Sequence, residues 1–114
     1  MTDAGGPDAA NPDAPATPSE ARHPAVLRLA GDIDFFTEDE FRAEAERLLA
    51  EPGIDRLIVD LSDVGVMDSS GLSLLVDLLR LCRDIDLSMT LRGVPDRVTE
   101  LLDLTGLDQV IAVE

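Results

Sequence analysis

The chain has 114 residues, enough for one packed domain and too few for two. Apolar residues make up 45% of it, mostly Leu, Val, Ile and Ala, but aromatics only 3%, with no Trp or Tyr. That argues against stacking platforms for nucleic-acid bases or sugars. Acidic residues outnumber basic ones 24 to 9, leaving a formal charge of −15. Such a surface repels phosphodiester backbones and anionic membranes and favours a basic protein partner. Cys82 has no sulfur partner, and there is neither a leader pattern nor an apolar run long enough to cross a bilayer. A soluble, reducing, cytoplasmic setting is the expectation.

In chain order, residues 1–23 are rich in Pro, Ala and Asp and hold almost no large apolar side chains, so they read as a disordered tail. The domain proper is expected from 24 to 114. Val26 to Ala30 forms a short strand, stopped by Gly31 and the acidic turn Asp32-Ile33-Asp34. Thr37 and Glu40 have the spacing of a capping box, with Phe36 and Phe41 at the positions of a hydrophobic staple. The helix they open ends at Pro52-Gly53. Leu57 to Leu61 is nearly continuous in apolar character, as in a strand covered on both faces. A loop over Ser62 to Met67 leads to a helix from about Ser69 to Arg83, apolar on two sides. Leu87 to Leu91 alternates as a third strand, Pro95 opens a further helix that Gly106 terminates, and Val110 to Val113 is a last short strand. Alternating strands and helices imply parallel crossovers. The expected fold is α/β, with a mostly parallel sheet of four to five strands and three to four helices.

The stretch Asp68-Ser69-Ser70-Gly71 carries the chemistry. Asp68 stands where a helix N-cap belongs, its carboxylate in reach of the Ser70 or Gly71 N–H, and Ser69 becomes the first helical residue. Gly71 leaves room for close approach by another molecule. A serine hydrolase lacks its base, since the lone His23 falls in the tail. A phosphate-binding loop lacks further glycines and a lysine. An ordinary cap, or a serine phosphorylated by another protein, remains. Asp32, Asp34, Asp60, Asp63 and Asp68 fit solvated loop residues and caps better than a metal cluster.

Leu57 to Leu75, LIVDLSDVGVMDSSGLSLL, resembles the signature of the STAS superfamily, specifically its bacterial anti-sigma factor antagonists. Gly31-Asp32-Ile33-Asp34 is similar to that family's first turn, and Leu101 to Leu107, LLDLTGL, to its last-helix ending. The resemblance runs from Val26 to Val113. It implies that Ser69 is the phosphorylation site, with Ser70 as a secondary acceptor. It also implies that Asp34, Asp68, Ser69, Ser70 and Gly71 meet the partner, an anti-sigma factor that is itself a serine kinase of the histidine-kinase-like ATPase type. Unphosphorylated antagonist would bind this kinase and free a sigma factor, and a serine/threonine phosphatase would reset the switch. ATP and Mg²⁺ belong to the kinase, so no cofactor, nucleic acid or membrane is implied, and a monomer is the expected state.

Two departures from the family pattern concern the sheet edge and not the switch. The family's first edge strand would fall in the proline-rich segment, and the turn Arg83 to Asp86 lacks the usual glycine. The alternative to an antagonist is a STAS subunit or scaffold, without a switch, in a transporter or stress-sensing assembly.

Overall fold

The computed structural model describes residues 22–114. Strands and helices alternate: β1 His23–Ile33, α1 Glu38–Leu49, β2 Ile54–Met67, α2 Ser69–Asp84, β3 Ser88–Arg92, α3 Asp96–Thr105 and β4 Ala112–Val113. A 3-10 turn, Leu107–Gln109, precedes β4. The sheet order is β1-β2-β3-β4 and every pairing is parallel. Parallel neighbours require crossovers, and the three helices supply them. The expected α/β class holds, at four strands.

Right-handed crossovers that all step the same way place every helix on one face. The core has that form. Leu27 and Leu29 of β1, Leu57, Val59 and Leu61 of β2, and Met89 and Leu91 of β3 pack with Ala45, Leu74, Leu75, Leu78, Cys82, Val98 and Leu102 from the helices. Intervening strand residues point the other way by the period of two. The apolar run Leu57 to Leu61 therefore does not mark a strand with helices on both sides, although Ile58 and Asp60 are both buried.

On that second face, Arg28, Asp60 and Arg92 stand in register across three strands. Asp60 is only 7% exposed. It lies 3.7 Å from Arg28 and 3.3 Å from Arg92, and it accepts bonds from the Ser62 hydroxyl at 2.6 Å and N–H at 2.9 Å. The Ser62 bonds, then Arg92, hold its carboxyl at about 2, below the ordinary 3.8. A depressed acid stabilises the fold above its unfolded value and loses that contribution as pH falls through the folded one. Urea midpoints measured between pH 4 and pH 2 should therefore fall more steeply for the parent than for Asp60→Asn. Parallel curves would remove Asp60 from the acid response.

Several expectations change at element ends. Residues 1–21 of the expected tail lie outside the described residues, but His23, assigned to that tail, opens β1 and donates its N–H to the Gly53 carbonyl at 2.8 Å. Pro24 is tolerated because β1 is an edge strand. Both long strands run past their apparent stops. Ala30 pairs with Asp63, Gly31 with Val64 and Ile33 with Met67, across bulges that absorb the register shifts. This extended ribbon carries the β1–α1 and β2–α2 loops to the same end of the molecule.

The expected capping box does not form. Thr37 has helical backbone angles and no cap bond to α1. Its hydroxyl accepts the Asp34 N–H at 3.1 Å and reaches the Asp32 carbonyl at 3.1 Å. Asp34 takes over, its Oδ1 accepting the N–H of Phe36 at 2.9 Å and of Thr37 at 3.2 Å. A short acid preceding the helix competes for those N–H groups by forming a tighter local turn. The staple fails with the box. Phe41 packs partly against the core, and Phe36 faces solvent.

Arg42 ties α1 to α2, bonding Glu38 at 2.5 Å, Asp39 at 2.6 Å and Asp77 of α2 at 2.7 Å. Gly106 ends α3 in the left-handed conformation at φ 77°, as the sequence implies. In the turn that lacks the family's glycine, Asp86 takes the positive φ of 60° itself, which Asp tolerates better than most residues. Cys82 is buried in α2, and burial pushes its thiol up to about 11, so it behaves as a core residue.

Candidate functional site

Only Asp68 separates β2 from α2. Its backbone is extended, and its carboxylate accepts the Ser70 N–H at 2.8 Å and the Gly71 N–H at 3.4 Å. Its carbonyl takes the next bonds, from Gly71 at 3.0 Å and Leu72 at 3.2 Å. This is the N-cap that the sequence predicts. Ser69 is the first residue of a 16-residue helix and is exposed. No group among the described residues bonds its hydroxyl. The side chain therefore stands free at the positive end of the helix dipole. Ser70 is half-buried one residue further in.

Gly71 is buried, and the room left by its missing side chain is taken by its own chain. A Cβ there would lie 2.3 Å from Met67 Cγ and 3.2 Å from both Met67 Sδ and Ile33 Cγ2. Its closeness thus joins α2 to the end of β1, and an outside molecule does not have that space.

The neighbouring loop is stitched to this one. The Asp68 N–H points to the Ile33 carbonyl at 3.5 Å, and Asp32 Oδ1 accepts the Val66 N–H at 3.1 Å. From α3, Arg97 donates to the Gly65 carbonyl at 2.6 Å. A largely apolar cleft of about 250 Å³ lies there, bounded by Gly65, Val66, Met67, Arg97, Val98 and Leu101. Asp34, Asp68, Ser69, Ser70 and Gly71 accordingly share one end of the sheet, the carboxyl end where parallel strands present their functional loops. Asp34 engages its own backbone through Oδ1.

Asp32 and Arg97 are the residues that sequence reasoning missed as organisers of this site. Asp32 sits in the recognised Gly31 turn, but its target, Val66, is 34 residues away. Arg97 carries no local signal. Of the five acids imagined as a metal cluster, Asp32 bonds Val66 of β2, Asp34 the turn before α1 and Asp68 the start of α2, and Asp60 belongs to the sheet ladder. Among the described residues no three carboxylate, His or Cys side chains are placed to hold a metal ion. None of the described helices is long and apolar enough to cross a membrane.

Comparison with known proteins agrees with this geometry. Residues 12–114 match the family model of the STAS domain. An anti-sigma-B factor antagonist of Listeria monocytogenes is 33% identical over 86 residues, covering 75% of this chain and 75% of that one. Among solved structures, the unphosphorylated form of the anti-sigma factor antagonist SpoIIAA superimposes with a TM-score of 0.60 at 18% identity, over 78% of this chain and 76% of that one. A sulfate transporter family protein from Wolinella succinogenes gives 0.67 at 21% identity, over 77% of this chain and 73% of that one, so the fold alone is shared with transporter modules. With the family model spanning nearly all of the sequence and a relative of this identity, the chain belongs to the STAS family, among its anti-sigma factor antagonists.

Proposed function

We propose that this protein binds an anti-sigma serine kinase through the end of the sheet that carries Ser69, and that phosphorylation of Ser69 releases it. The observation that carries the reading is the state of Ser69: exposed, unbonded among the described residues and at the first position of α2. Asp68 directs its carboxylate into the helix end, away from competition for the acceptor hydroxyl. The kinase brings ATP and Mg²⁺, and a serine/threonine phosphatase reverses the transfer. Asp34, Asp68 and Ser70 shape the surface around the acceptor, buried Gly71 packs α2 against Met67 and Ile33, and Ser70 is the secondary acceptor. The chain's own role is that of a switched binding partner and not an enzyme, in the cytoplasm.

Phosphosite mapping on protein isolated from its own cells, beside a Ser69→Ala control, tests this. Phosphate on Ser69, absent from the control, is the expected result. Phosphate on Ser70 alone would move the acceptor and keep the function. No phosphate across growth conditions, with the protein held instead by a transporter or a stress-sensing scaffold, would replace the antagonist with a non-switching STAS subunit.

A further inference from the structure

Phe35 and Phe36 are two of only three aromatic residues in the chain, and they are 75% and 84% exposed. Their rings pack edge to face at 5.7 Å and 78°. Fold stability gives no reason for this placement, because apolar area in water forgoes the burial that stabilises a core. The turn that presents them is nonetheless fixed. Asp34 Oδ1 holds the N–H groups of Phe36 and Thr37, and the Asp34 carbonyl accepts from Thr37 at 3.2 Å and Glu38 at 3.0 Å. The same turn is joined to the Ser69 loop through the Asp68 N–H and the Ile33 carbonyl. Val66, 55% exposed near the end of β2, is held by its N–H to Asp32, just before that turn.

Exposed aromatics on a backbone turn held by hydrogen bonds, beside a functional loop, suit an interface anchor, because the turn that presents them needs little ordering on binding. We infer that the Phe35–Phe36 pair is the apolar anchor by which this protein docks on its anti-sigma kinase. This rests on the function proposed above and names the contact that supplies its affinity. The socket on the kinase is apolar with a basic rim, because Asp32 and Asp34 lead into the pair and Glu38 and Asp39 follow it, within a chain of net charge −15. A second copy of this chain is a poor occupant, since stacking phenylalanine on phenylalanine would bring those acids face to face.

The test is a calorimetric titration of the purified anti-sigma serine kinase from the same cells, with ADP and Mg²⁺, against four proteins: the parent, Phe35→Ala/Phe36→Ala, Ser69→Ala and Ser69→Glu. The double variant is expected to lose affinity by about a hundredfold or more while its thermal midpoint holds, since two hot-spot side chains are removed and no core contact is lost. Ser69→Glu should bind more weakly than the parent, and Ser69→Ala, which removes the acceptor without adding charge, should keep more affinity than Ser69→Glu. If the double variant binds like the parent while Ser69→Glu is weakened, the anchor is overturned and the switch stands. If the parent itself does not bind, the function falls, and the anchor's partner with it. Sedimentation that shows a parent dimer lost in the double variant, at unchanged kinase affinity, would make a second copy the occupant and overturn the assignment.

Discussion

Phosphorylation of Ser69 is expected to weaken the complex with the anti-sigma kinase by about a thousandfold or more and to leave the unfolding midpoint within a few degrees of the parent's. A phosphoserine adds about −1.5 to −2 charges at neutral pH. In the free protein two effects oppose each other. The N-terminal end of α2 favours an anion by roughly 0.3–1 kcal/mol. The Asp68 carboxylate repels it by about 1 kcal/mol per charge at roughly 5 Å in water. These nearly cancel, and Ser69 is exposed and lies outside the buried core cluster. At a desolvated interface the balance shifts. With an effective dielectric near 20, the phosphate and Asp68 at roughly 5 Å repel by about 3 kcal/mol per charge, which over the phosphate's charge reaches about a thousandfold or more in affinity. The checks are a titration of the kinase with stoichiometrically phosphorylated and parent protein, and thermal melts of both. Ser69→Glu should show a smaller loss, because it carries about one charge and lacks the phosphate's three acceptor oxygens. Equal affinities for the phosphorylated and parent proteins would end the electrostatic account. A collapse of the midpoint on phosphorylation would make the switch an unfolding event instead.

The features legible in the sequence are those set by short-range chemistry. Asp68 caps α2 because a carboxylate at that position needs only the N–H groups two and three residues ahead. Pro95 and Gly106 bound α3 for similarly local reasons. The α/β alternation follows from apolar periodicity. What stayed hidden depends on partners distant in sequence. Gly31 and Ser62 to Met67 read as breaks, yet β1 and β2 pair through them, since a bulged ribbon can carry polar residues when its neighbour supplies the backbone bonds. The Thr37 box satisfied its pattern and lost to Asp34, which competes for the same end of the chain from three residues upstream. Asp60 looked like one more surface acid, but register alone sets it between Arg28 and Arg92. Within the site, the positions of Ser69 and Asp68 were readable; the Asp32–Val66 bond and the Arg97–Gly65 bond, which fix the loop beside them, were not.

Gly71 provides the sharpest test of how that loop is built. Gly71→Ala is expected to destabilise the parent by about 1–2 kcal/mol, even though alanine is the better helix former by about 1 kcal/mol. The reason is steric. A Cβ at 2.3 Å from Met67 Cγ sits far inside the ordinary carbon contact of about 3.5–4.0 Å, and Ile33 closes the other side at 3.2 Å. Met67 is buried, and the clash falls on Cγ near its backbone and not on the mobile end of the side chain, so relief requires the end of β2 to move. Overpacking of this kind costs about 1–3 kcal/mol. Met67→Ala alone should cost about 2–5 kcal/mol through the cavity it leaves. Combined, the two changes should not add. With the methionine gone, the new methyl group fills part of the void and the helix-propensity gain reappears, so Gly71→Ala becomes neutral or slightly stabilising in that background. The coupling energy should reach about 2 kcal/mol, within the range for residues in direct contact. Urea titrations of the four proteins in the cycle measure it. Additive losses would show that Met67 is not what excludes a side chain at 71. A Gly71→Ala that keeps full stability but binds the kinase poorly would mean that the glycine keeps space for the partner and not for Met67 and Ile33.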